Sequence, residues 1–191
     1  MRRRVGVLVA AVASASALAL GAAAAARTRT VVEFAHLPLG PKAAFVGFRS
    51  HGLVLAARAR RAAVVRWKGP RDLLVAPMKG GGFCKSLGGP YGRATCYAKP
   101  PRLDPGLTGD ASGPIVLDGM YTNPRGVRLR LTYEDGAHAD VHLTWVGPPI
   151  NAGLFVFPLP QAHRAERHRP QSLTLYSARG TKLISRTLRR Y

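Results

Sequence analysis

The chain has 191 residues, with 29 Lys plus Arg against 9 Asp plus Glu and a formal net charge of +20. That length fits one domain or two small ones. Nine acids leave no pair placed for glycosidase chemistry, and the basic surplus comes without a DNA- or RNA-reading motif.

Arg2, Arg3 and Arg4 precede a run from Val5 to Ala26 that contains no charge. A basic start, an apolar stretch and the small residues Ala24, Ala25 and Ala26 predict an export signal over residues 1–26, cut ahead of Arg27. The uncharged run is long enough to span a bilayer. A retained N-terminal anchor is therefore the alternative, and it would make Arg27-Thr28-Arg29-Thr30 a tether. Alanine dominates the run and is only weakly apolar, which favours cleavage. No later segment reaches the roughly 18 apolar residues that a second span needs.

Cleavage removes three arginines, so the charge falls from +20 to +17. Outside the cytoplasm such a surplus points to polyanions, either an anionic envelope polymer or lipid headgroups. Specific nucleic acid is not an expected partner. Arg in place of Lys at unconstrained surface positions is also what GC-rich coding produces.

Residues 27–108 form a basic β region. Strand-like runs at 43–49 and 53–59 flank Ser50-His51-Gly52, and further strands are expected at 62–67 and 72–76. Arg58, Arg60, Arg61, Arg66 and Lys68 make this stretch a candidate anion-contacting surface, together with Arg164, Arg167 and Arg169. Cys84 and Cys96 are the only cysteines. An even count in an exported chain predicts a disulfide. It would close a loop of about 13 residues, worth roughly 3 kcal/mol in chain entropy. The enclosed residues 85–95 are rich in turn formers. No adjacent His pair supports metal binding there, and no C-x-x-C supports a redox role.

The Pro- and Gly-rich stretch 99–114 reads as a linker. It separates 27–108 from a less basic sandwich-like region, 109–191, although the two can form one unit. A short strand is expected at 115–117. The strongest signal follows at 127–146. Val127, Leu129, Leu131 and Tyr133 alternate with polar residues, as do Ala137, Ala139, Val141, Leu143 and Trp145. A three-residue loop, Glu134-Asp135-Gly136, pairs Tyr133 with Ala137. It sets Leu131 against Ala139, Leu129 against Val141 and Val127 against Leu143. On the other face Arg130 meets Asp140 and Arg128 meets His142. A slip by one residue would bury the charges.

His138, Asp140 and His142 share one face of that strand and are a minority metal-site candidate. Same-face neighbours on a strand stand nearly 7 Å apart, and two arginines lie opposite, so a solvated face with cross-strand ion pairs is the favoured reading. Another strand is expected at 153–158, then one or two helical turns at 161–167. His163 and His168, interleaved with arginines, read as an exposed basic loop. A third hairpin runs from 172–177 through Ala178-Arg179-Gly180 to 181–187. Trp67 and Trp145 read as core aromatics. No G-x-S-x-G nucleophile elbow or phosphate-binding Gly loop is present.

Three segments carry a likeness: Val127-Arg-Leu-Arg-Leu-Thr-Tyr-Glu-Asp-Gly136, Ala152-Gly-Leu-Phe-Val-Phe-Pro158 and the stretch from Arg169 to Gly180. With the Arg- and Ala-rich start, the region 113–187 resembles uncharacterised exported or membrane-anchored β-domain proteins of actinobacteria. The resemblance implies an envelope location and a β fold, and it transfers no functional residue.

The expected fold is all-β: sandwich-like antiparallel sheets built from three-residue Gly-terminated hairpins, stapled by one disulfide. The expected function is a non-enzymatic extracytoplasmic domain, without cofactor, that binds or senses at the envelope through its basic surface. The alternatives are an assembly partner that offers a β edge to another protein, or a secreted metal-dependent hydrolase.

Overall fold

The computed structural model describes residues 29–39, 63–65, 72–78, 81–87, 94–109, 115–164 and 168–188. The predicted signal, the Ser50-His51-Gly52 hairpin, Trp67, Arg58, Arg60, Arg61, Arg66, Lys68 and Arg167 lie outside the described residues.

The fold is all-β, with thirteen described strands in three sheets. The central sheet has the order β1-β10-β11-β7-β6. Its strands are β1 (Arg29–Val32), β6 (Leu103–Thr108), β7 (Val116–Tyr121), β10 (Leu143–Val146) and β11 (Ala152–Pro158). One flanking sheet has the order β13-β12-β8-β9, built from β8 (Gly126–Tyr133), β9 (His138–Val141), β12 (Pro170–Ser177) and β13 (Lys182–Thr187). The other has the order β2-β3-β4-β5, built from β2 (Ala63–Val65), β3 (Leu73–Pro77), β4 (Phe83–Leu87) and β5 (Ala94–Tyr97). Neighbours are antiparallel except β1, which runs parallel to β10.

Two apolar cores separate the sheets. Leu117, Tyr121, Leu143 and Phe155 of the central sheet pack against Leu129, Leu131, Tyr133, Leu173 and Leu175. The opposite face of the central sheet turns Val116, Met120, Val146, Leu154 and Val156 toward Val65, Leu73, Val75 and Phe83. A sandwich, as expected from the sequence, has two layers; the structure has three. A sheet buried on both faces loses the apolar–polar alternation that marks a half-exposed strand. All six residues of β7 are accordingly buried, and the strand runs four residues past the segment expected from the sequence.

The predicted linker 99–114 contains β6, which pairs with β7 from Leu103↔Tyr121 to Thr108↔Val116. Pro105 and Gly106 are tolerated because β6 ends the sheet order, where a missing ladder donor costs little. β6 and β1 tie residues before 109 into the same sheet as residues after it. The segment read as a possible tether supplies Arg29 and Thr30 to β1.

The β8–β9 hairpin has the three-residue loop expected from its pattern. Tyr133 N donates to Ala137 O at 2.9 Å, and Gly136 has φ 81°. The register Leu129↔Val141, Arg130↔Asp140, Leu131↔Ala139 follows. Ala178-Arg179-Gly180 repeats it, with Ser177 N to Thr181 O at 2.9 Å and Gly180 at φ 77°. A side chain at Gly136 meets no atom within 4 Å, so only backbone strain opposes it. Gly136→Ala should cost about 1 kcal/mol in denaturant unfolding, and no measurable cost would reject the left-handed assignment.

The second arm of the predicted hairpin is not one strand. β9 ends at Val141, and Leu143 opens β10 in the central sheet. Val127 therefore does not pair with Leu143. The chain turns the corner between sheets at His142. Val141 and Leu143 still face the same core, with Ala139 and Trp145 packed against it. Alternation thus continues across the corner, which is why the sequence pattern conceals it. The helical turns expected at 161–167 reduce to one 3₁₀ turn, Gln161–His163, with 165–167 outside the described residues.

The Cys84–Cys96 disulfide is formed. The two residues sit directly opposite each other on β4 and β5, with Cα atoms 4.0 Å apart. Residues 85–87 and 94–95, inside the stretch 85–95 read as turn-rich, belong to the paired strands β4 and β5.

Candidate functional site

The hairpin brings Arg128, Arg130 and Asp140 onto the outer face of the β13-β12-β8-β9 sheet. Arg128 Nε donates to both Asp140 oxygens at 3.1 Å. Arg128 also reaches Oδ2 through its terminal nitrogen at 3.0 Å. Arg130 Nε lies 3.4 Å from Oδ1. The Arg130–Asp140 contact matches the sequence reading. Arg128 takes the same carboxylate rather than His142, because His142 sits at the corner and its Nε2 is 3.1 Å from Thr30 Oγ1. These exposed ion pairs contribute at most about 1 kcal/mol each. His138, Asp140 and His142 do not converge: Asp140 is turned to two guanidiniums and His142 has left the strand. Among the described residues no group of three His, Cys, Asp or Glu could hold a metal ion.

Arg29 anchors β1. Its Nη1 donates to Pro124 O at 2.7 Å and to Gly126 O at 3.0 Å. Its guanidinium carbon lies 4.9 Å from the Trp145 ring centre. Trp145 is partly buried against the core and tilts against Tyr121 at 5.7 Å. Burial pushes the Tyr121 phenol up to about 12, and the Arg29 charge opposes part of that rise. Of the predicted anion-contacting residues in the described part, Arg164 spends two nitrogens on Leu159 O, at 3.2 and 3.0 Å. The Arg169 carbonyl accepts from Glu134 N at 2.9 Å.

His163 and His168, expected from the sequence in an exposed basic loop, make specific contacts. The His163 ring stacks on Tyr133 at 3.8 Å, and His168 lies edge-on to His163 at 6.3 Å. Asp135 Oδ2 is 2.7 Å from His168 Nδ1, and Asp135 Oδ1 accepts from Ala137 N at 2.9 Å. The hydrogen bond from His168, then that from the Ala137 amide, hold the Asp135 carboxyl below its ordinary value. The cluster pins the β8–β9 loop to the segment before β12. The two histidine rings meet at 6.3 Å, which their i, i+5 spacing on a helix could not show.

The least visible group in the sequence lies between the central sheet and β4. Lys85, 7% exposed, ion-pairs with Asp118, 5% exposed, on β7. Thr108 Oγ1 donates to Asp118 Oδ1 at 3.0 Å. Beside them Tyr97 donates to Asp104 Oδ2 at 2.6 Å. Burial first, then the hydrogen bond and charge of Asp104 and the charge of Asp118, push the Tyr97 phenol well above its ordinary value. A signal existed: Asp118 is a single charge inside Ile115-Val-Leu-Asp-Gly-Met-Tyr121. A charge in such a run needs a partner.

Asp118 and Asp104 are engaged within the fold, whereas Asp135 and Asp140 are paired at the surface. Lys99, Arg102, Arg125, Arg179, Lys182 and Arg186 are exposed. These six described cations therefore stand at the surface, facing solvent. Comparison with protein-family models, curated proteins and solved structures finds no match.

Proposed function

We propose that the chain is a non-enzymatic extracytoplasmic β-domain that binds or senses at the cell envelope, its basic surface meeting an anionic polymer or lipid headgroups. The carrying observation is the distribution of charge. The chain carries 29 Lys plus Arg against 9 Asp plus Glu, and six described cations are exposed, which supports a positive field outside the molecule. Residues 1–26 and the Cys84–Cys96 disulfide support the location, because such bonds persist in oxidising compartments. The assembly reading has less support: β13 ends its sheet order and carries Lys182 and Arg186, charges that discourage edge pairing. The hydrolase reading has no converged ligand set among the described residues.

The test is binding to vesicles containing anionic phospholipid and, in parallel, to purified anionic wall polymer. Between about 0.01 M and 0.15 M salt the screening length falls from roughly 30 to 8 Å. Retention on one of the two surfaces should fall at least tenfold over that range, with neutral vesicles inert. A variant with Arg125, Arg179, Lys182 and Arg186 all changed to Ser should bind more weakly. Absence of binding to both surfaces at low salt would overturn the reading.

A further inference from the structure

The contact between Lys85 and Asp118 joins two sheets through a primary amine and a carboxyl, and we infer that it matures into an intramolecular isopeptide bond. β4 turns Phe83 and Lys85 toward the central sheet, and β7 turns Val116, Asp118 and Met120 back at them. Each of the two side chains is only 8% exposed. Proximity of this kind replaces a bimolecular encounter with an effectively unimolecular one. Exclusion of water removes the reagent that would reverse the condensation.

The step balances without an oxidant or co-reactant. One proton passes from Lys85 Nζ to Asp118 Oδ2, giving an amine and a carboxylic acid. The amine lone pair attacks Cγ, and a C–N bond forms. Negative charge gathers on Oδ1, where the Thr108 hydroxyl already donates at 3.0 Å. A second proton moves from nitrogen to Oδ2, the Cγ–Oδ2 bond breaks and water leaves. Oδ1 remains as the amide oxygen, still held by Thr108. Asp104 stands two residues before Gly106, the β6 residue paired with Asp118. The register puts Asp104, fixed by Tyr97, on the same face of the sheet as Asp118.

The experiment is intact-mass and peptide mass spectrometry of the full chain, unfolded with its disulfide reduced. The expected mass is lower than that of the sequence by one water, and trypsin should release a branched peptide linking the segments around Lys85 and Asp118. Asp118→Asn should reach the same final mass by losing ammonia, whereas Asp118→Ala should keep its full mass. Thr108→Val should slow the loss. Asp118-Gly119 can also dehydrate to a succinimide. A water loss that persists in Lys85→Arg, or a linear dehydrated peptide, therefore overturns the proposal. So does wild-type protein at full mass with two unlinked peptides, which leaves an ion pair alone.

Discussion

Gly153→Ala should destabilise the domain by about 3 kcal/mol, the upper part of the range for overpacking a core. A Cβ at this position would lie 1.8 Å from Tyr121 Cε1 and 2.0 Å from Cζ. Tyr121 cannot retreat. It is fully buried, leans on Trp145 at 5.7 Å and donates to Gly126 O at 3.2 Å. Tyr121 and Gly153 are direct partners on β7 and β11, and so are Gly119 and Phe155. A Cβ at Gly119 would likewise come within 2.3 Å of the Phe155 ring. Each large ring fills the space left by a glycine across the ladder, a device that lets aromatic side chains lie flat on a sheet. Gly106→Ala is the control, because its nearest neighbour would be an ordinary 3.6 Å away. Denaturant unfolding of both variants, and of Gly153→Ala with Tyr121→Leu, checks the argument. The double variant should cost less than the two single changes together. A Gly153→Ala loss within about 0.5 kcal/mol, the size of an ordinary surface effect, would show that the aromatic pair does not constrain the ladder.

The same pairs show which parts of the fold the sequence could reveal. The β8–β9 and β12–β13 hairpins were legible because one face of their sheet meets solvent. Alternation fixed the register, and a third-position glycine fixed the loop. β7 was legible only in its first two residues. Asp118 and Gly119 look like a turn in one dimension, yet Asp118 is partnered by Lys85 and Gly119 by the Phe155 ring. β6 was hidden because Pro105 and Gly106 signal a break, while the edge of a sheet tolerates both. The corner at His142 was hidden because alternate residues on β9 and β10 face one core. The Arg130–Asp140 pair is local to a hairpin and could be placed. Lys85 and Asp118 are 33 residues apart, and only the stacking of two sheets brings them together.

Reduction of the Cys84–Cys96 disulfide should cost about 3 kcal/mol, the chain-entropy value for a loop of this size. The loss should not spread evenly. β5 is the last strand in the order of its sheet and pairs with β4 over only four residues, Phe83↔Tyr97 to Ser86↔Ala94. Its other ties include the tilted Phe83–Tyr97 contact at 5.5 Å, the Tyr97–Asp104 hydrogen bond and the packing of Ala94 and Cys96 on Leu74 and Ala76. Strands held by few contacts open before the global transition. β8 and β12 pair at seven positions, from Pro170↔Tyr133 to Ser177↔Gly126, over a fully buried core, so they should stay protected. Hydrogen exchange on the oxidised chain and on Cys84→Ala/Cys96→Ala should show amides of 94–97 losing protection first, while those of 129–131 and 173–175 follow the global stability. Cys84 is fully buried, so a reductant must wait for β5 to lift, and reduction under native conditions should be slow. Equal loss of protection across all three sheets would mean that the staple acts on the whole domain rather than on the strand it pins. Opening β5 removes Tyr97 from Asp104, and with it the carboxylate anchor beside Lys85 and Asp118. Oxidation of the cysteines should therefore precede the condensation, and Cys84→Ala/Cys96→Ala chains should lose water more slowly than the wild type.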